Sequence, residues 1–84
     1  MATATISISD EPTIDVVHRF RNFCEDLHRS LNHLCLIDLN EIDCATTVFA
    51  VRGIPHEQIY EFGNVIRFEL ERHNFALTAT VTWA

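Results

Sequence analysis

Hydrophobic residues recur in this chain at two different periods, and the order in which those periods follow one another limits what it can fold into. From Thr3 to Ser9 the alternation is strict, with Ala4, Ile6 and Ile8 on one side and Thr3, Thr5, Ser7 and Ser9 on the other. A period of two in a run rich in β-branched residues is that of a strand with one buried face. Asp10, Glu11 and Pro12 then close the strand and open a helix, with Asp10 as the expected N-cap and Pro12 in the first turn. From Thr13 to Asn32 or His33 the period lengthens: Val16, Phe20, Phe23, Leu27, Leu31 and Leu34 recur at steps of three and four, flanked by Val17 and Cys24. At about 100° per residue these positions span an arc of roughly 120°, the width of a stripe that faces a core. Asp15, His18, Arg19, Asn22, Glu25, Asp26 and Arg29 fall on the other side.

The middle of the chain, residues 36–52, is too long and too β-branched for one ordinary strand. Asn40, Glu41 and Asp43 break it, so the reading is a strand at about 35–40, a turn, and a strand at about 44–52, with a single bent strand as the alternative. Gly53 ends that segment, and Ile54-Pro55 opens a second helix with the stripe Ile59, Phe62, Ile66 and Leu70, where Gly63 allows close approach. Tyr60, Val65 and Phe68 lie outside the stripe. The helix closes near Arg72–Asn74, with Asn74 suited to a left-handed cap. In the last segment, Phe75–Trp83, Phe75, Leu77, Ala79, Val81 and Trp83 are expected inward, and Ala76, Thr78, Thr80 and Thr82 outward.

The resulting order, β-α-β-β-α-β, predicts an α+β chain of ferredoxin-like architecture: a four-stranded antiparallel sheet with two helices on one face, as a single domain over residues 1–84. A chain of 84 residues has room for one core, near the lower limit of what hydrophobic burial alone stabilises. Association with a second copy would add buried area.

The charge narrows the partners. Twelve acidic residues stand against six basic ones, all arginine, giving a formal net charge of −6. Such a surface repels phosphate backbones and anionic membranes, so neither nucleic acid nor a lipid bilayer is an expected partner. Three cysteines, an odd number without a CxxC pair, and no apolar run near the length of a membrane span point to a soluble protein with reduced thiols in the cytoplasm.

Candidate chemistry is thin. Cys24, His28 and Cys35 follow helical spacing and are weak metal candidates, because zinc needs four donors converging on one point and position 35 lies past the helix. The stronger expectation for Cys24 is that of a small core hydrophobe. Cys44 sits beside Asp43, which raises a thiol pKa instead of lowering it. His56 and Glu57 could form a general-base pair, but a glutamate in a first turn is accounted for by the helix dipole. Neither catalytic residues nor a cofactor are expected, and the enzyme question leans to no.

Two features favour binding. Tyr60, Val65 and Phe68 project away from the second helix's stripe. The strand face opposite the core, with Thr46, Val48, Thr78, Thr80 and Thr82, is flat and uncharged, and the last strand offers an edge. The sequence therefore points to a non-catalytic protein-interaction or regulatory module, homodimeric through the threonine-rich face or the last strand. One alternative is an acidic inhibitor that fills a basic site on a nucleic-acid-processing enzyme or complex, using Glu25, Asp26, Asp38, Glu41 and Asp43. Another is a small-molecule or metal sensor using His28, His33 and the cysteines.

Overall fold

The structure, a computed structural model, describes residues 1–34, 42–44 and 47–84, with the backbone alone described at 33, 34 and 42–44. Its elements are β1 (Ala2–Ile8), α1 (Ile14–Leu34), β2 (Ile42–Cys44), β3 (Val48–Ile54), a short 3-10 turn at His56–Gln58, α2 (Ile59–Arg72) and β4 (Ala79–Trp83). The α+β class, the antiparallel strands and the two helices agree with the sequence reading. The strand expected at 35–40 lies outside the described residues.

The strands align in the order β2-β3-β1-β4, each antiparallel to its neighbour. β3, β1 and β4 form the body of the sheet, and β2 adds a three-residue ladder along the outer side of β3. Cross-strand pairing fixes the faces. Ala4, Ile6 and Ile8 stand opposite Trp83, Val81 and Ala79, while Thr5 and Ser7 stand opposite Thr82 and Thr80. The first set faces the helices; the second faces away.

β3 does not end at Gly53. Ala2 pairs with Ile54 and Ala4 with Val51, so β3 carries one residue more than β1 across that stretch. This is a β-bulge, and Gly53 accommodates it at φ 74°, a backbone state that side chains disfavour. The bulge extends the strand to Ile54 and delays α2, so Pro55 precedes the 3-10 turn instead of entering the helix.

The core lies between the helices and the sheet face that carries Ala2, Ala4, Ile6 and Ile8. Phe20, Phe23, Leu27 and Leu31 from α1 and Phe62, Ile66 and Leu70 from α2 are buried in it, as the stripes predict. Phe23 is its hub: its ring lies 5.5 Å from Phe20, 6.4 Å from Phe49 and 6.1 Å from Phe75, the last two edge-on. Edge-on aromatic pairs add about 0.5–1.5 kcal/mol beyond the area they bury.

Two local expectations are corrected. The cap of α1 is Thr13, whose hydroxyl accepts the Val16 amide, and not Asp10. Asp10 instead pairs with Arg19 at 3.5 Å, and the Arg19 guanidinium also covers the Phe75 ring at 4.4 Å, so Arg19 does not sit on a purely solvated side. The second correction concerns the last strand, which begins at Ala79 and not at Phe75. α2 ends in a Schellman arrangement: Asn74 takes φ 62°, its amide bonds to Glu71, and the Phe75 amide bonds to Leu70. Phe75 is thus buried as the residue that closes the cap against Leu70. A tight turn follows, in which the Thr78 and Ala79 amides both reach the Phe75 carbonyl. Leu77, expected inward, stands at the tip of that turn and is 99% exposed.

Candidate functional site

Two places carry chemistry that the core does not use. The first is the outer edge of β4. Thr3 and Ala84 exchange both of their amide–carbonyl bonds, and the Ser9 amide reaches the Thr78 carbonyl. In an antiparallel ladder such pairs alternate, so Thr82 and Thr80 also point their backbone groups at β1. The amides of Val81 and Trp83, and the carbonyls of Ala79, Val81 and Trp83, must then point away from β1. Among the described residues no strand lies on that side. Ala79 keeps its amide bonded to Phe75, so it offers only a carbonyl.

Beside this edge runs a groove of about 410 Å³ between β4 and α2, lined by Tyr60, Gly63, Arg67, Leu70, Val81 and Trp83 among others. Trp83 is laid against α2 at Gly63 yet keeps 39% of its surface in water, and Tyr60 above it is 79% exposed. A Cβ at Gly63 would stand 3.8 Å from the indole, an ordinary contact, so the close approach does not depend on glycine.

The sequence-derived interface residues separate on this geometry. Tyr60 lines the groove, and Phe68, on the same helix, is 62% exposed. Val65 is partly buried and packs against the core instead of projecting outward. Val48, Thr80 and Thr82 occupy the open sheet face, with Val48 beside Ser7 in the ladder. Thr78 is not part of that face: it belongs to the turn before β4, half-buried, where its carbonyl holds both the amide and the hydroxyl of Ser9. Thr46 lies outside the described residues.

The second place joins the helices. Asp26 on α1, Glu69 on α2 and His73 at the α2 C-cap bring their donor atoms within 4.8 Å of one another. His73 Nε2 lies 2.9 Å from Asp26 Oδ2 and 3.5 Å from Glu69 Oε2. Arg72 reaches the same two carboxylates at 3.6 and 3.4 Å, and Arg29 holds the other oxygen of Asp26 at 3.2 Å. Ser30 donates to Glu69 Oε1 at 3.3 Å. Glu69 is 2% exposed, the one charged residue buried among those described. The Schellman cap positions His73, and the edge-on Phe23 ring at 6.0 Å backs its imidazole.

This cluster was not anticipated, although a signal exists. Projected at about 100° per residue, His73 falls inside the apolar arc of α2 and Glu69 borders it, as Ser30 borders that of α1, with Asp26 one helical step further round. Polar residues in two arcs that pack together must meet each other or leave buried charge unpaired.

Of the earlier metal candidates, only Cys24 and His28 have described side chains. Cys24 is buried in the core, and His28 is exposed on α1 beside Glu25, Arg29 and Asn32. Cys35 and the side chains of His33 and Cys44 lie outside the described residues. His56 and Glu57 are both exposed in the 3-10 turn. No described helix is long and apolar enough to cross a membrane. No protein-family model matches the chain, and no curated protein matches it.

Proposed function

We propose that this chain is a non-catalytic interaction module of ferredoxin-like architecture, with a four-stranded sheet and two helices on one face, whose binding element is the free edge of β4. Its occupant is a second copy of the chain, paired antiparallel through β4. The observation that carries this reading is the row of outward backbone groups on Ala79, Val81 and Trp83 beside the Tyr60–Trp83 groove. An edge with unpaired amides and carbonyls is a template for another strand.

A second copy suits this edge because the strand is complementary to itself. With Val81 opposite its own counterpart, Ala79 stands opposite Trp83, and the outward groups of both strands pair. Ala79 lacks a free amide but supplies the carbonyl that the opposing Trp83 amide needs. The indole of each copy then comes over the small Ala79 of the other, at the open end of the groove. The threonines of the outer face extend across both copies as one uncharged surface. A cytoplasmic, reducing setting is part of the proposal and rests on the odd number of cysteines and the lack of a CxxC pair.

Sedimentation velocity across a concentration series tests it. Dimer should appear in the micromolar range and tighten as salt screens the repulsion between two chains of net charge −6. Val81→Pro removes an outward amide and leaves the β1 ladder intact, so it should give a folded monomer. A wild-type chain that stays monomeric throughout refutes the proposal. Binding to a basic partner that weakens with salt would favour the acidic-inhibitor alternative. Glu25 is exposed for that role, but Asp26 is held by Arg29, Arg72 and His73.

A further inference from the structure

We propose that Asp26, Glu69 and His73 form a binding site for one divalent transition-metal ion, with Zn2+ as the probe best matched to the donors. Two carboxylates and an imidazole are a ligand set such ions accept, at metal–ligand distances of about 2.0–2.2 Å. Three donor atoms already gathered within 4.8 Å need only small side-chain shifts to share one ion. The site is supported from behind, as metal ligands are: Ser30 orients Glu69, and Phe23 backs the imidazole of His73. It is closed on the Glu69 side and open on the other, where the Asp26 and His73 side chains keep 21% and 14% of their surface in water. Water can therefore complete the coordination shell.

Arg72 is the competitor. Its guanidinium contacts both carboxylates, yet 55% of the side chain is exposed, so it can swing into water when a dication arrives. Arg72 thus marks where the carboxylate pair draws positive charge, and it fills the site in the metal's absence. An ion bound here would bridge α1 to the end of α2 and stabilise the folded chain alone.

Thermal unfolding with and without Zn2+ tests the site. The wild-type midpoint should rise with zinc, and the rise should vanish in Asp26→Asn and in His73→Gln while persisting in His28→Ala. Arg72→Ala separates a metal site from an ion-pair clamp. It should unfold at a lower temperature without zinc, yet respond to about tenfold less zinc, the equivalent of some 1.4 kcal/mol of lost competition. If the variants fold poorly, nitrogen-15 spectra of the wild-type histidine rings serve instead: the His73 Nε2 signal should move on adding zinc while those of His18 and His56 stay. A rise that survives in Asp26→Asn and His73→Gln, or no response in either the wild type or Arg72→Ala, overturns the proposal, as does an unmoved His73 signal.

Discussion

β1 and β4 are written in nearly the same code, a β-branched residue or alanine alternating with serine or threonine, and they lie side by side. Their burial nevertheless differs. Ala2, Ala4, Ile6 and Ile8 of β1 are all buried, with Ala4 and Ile6 at 0% exposure, whereas Ala79 and Val81 of β4 are half-buried and Trp83 is 39% exposed. The cause is position in the sheet. β1 has β3 on one side and β4 on the other, with the helices across its face, while β4 is flanked by β1 alone among the described residues. Alternation decides which face a side chain takes; the order of strands decides how much covers it. A half-covered strand that keeps its pairing groups free is the feature on which the proposed association rests.

Substitutions can break this contrast. The largest effect is expected from Ile6→Ala, which empties a fully buried site in the central strand and should cost about 4 kcal/mol in urea unfolding. The matching Val81→Ala should cost only about 1 kcal/mol in the monomer, since Val81 is only partly buried. Equal losses would show that β4 is as enclosed as β1.

Next comes a pair of prolines. Thr82→Pro deletes an amide that points at β1 and should cost about 3 kcal/mol, while Val81→Pro, one residue away, should leave circular dichroism unchanged and cost only about the 1 kcal/mol of the lost valine packing. Reversal of that order would mean that the β1–β4 register is wrong. At the other end of the sheet, Gly53→Ala forces a side chain into φ 74° at the β3 bulge. It should cost about 1–2 kcal/mol although nothing lies within 4 Å of the new methyl group. The smallest effect has the opposite sign. Gly63→Ala should stabilise by about 0.5–1 kcal/mol, because helix propensity improves and the methyl only touches Trp83 at 3.8 Å. A loss there would show that the indole is packed more tightly against α2 than this distance implies.

The strands' faces were legible in the sequence because alternation is local, and both helices were because their stripes are long. Asn74 was also legible, since few residues suit a left-handed cap. The reading failed at Leu77 for a specific reason. Phe75, Leu77 and Ala79 continue the period of two through a segment whose backbone is turning, and the pattern carries no mark of the turn. Glu69 and His73 escaped because an apolar stripe is defined by its hydrophobic residues, and a polar residue within or beside it leaves no mark in the periodicity. That β4 ends the described sheet could not be read from β4 at all: an edge is a property of the strands that are not there.

Backbone amide hydrogen exchange in β4 bears most directly on the claim that this edge pairs with a second copy. In dilute protein the account predicts alternation, with Thr80 and Thr82 protected by β1 and Val81 and Trp83 exchanging freely. As concentration rises into the dimeric range, Val81 and Trp83 should become protected as well and the alternation should disappear. Val81 and Trp83 amides that exchange at the free rate at every concentration would contradict it.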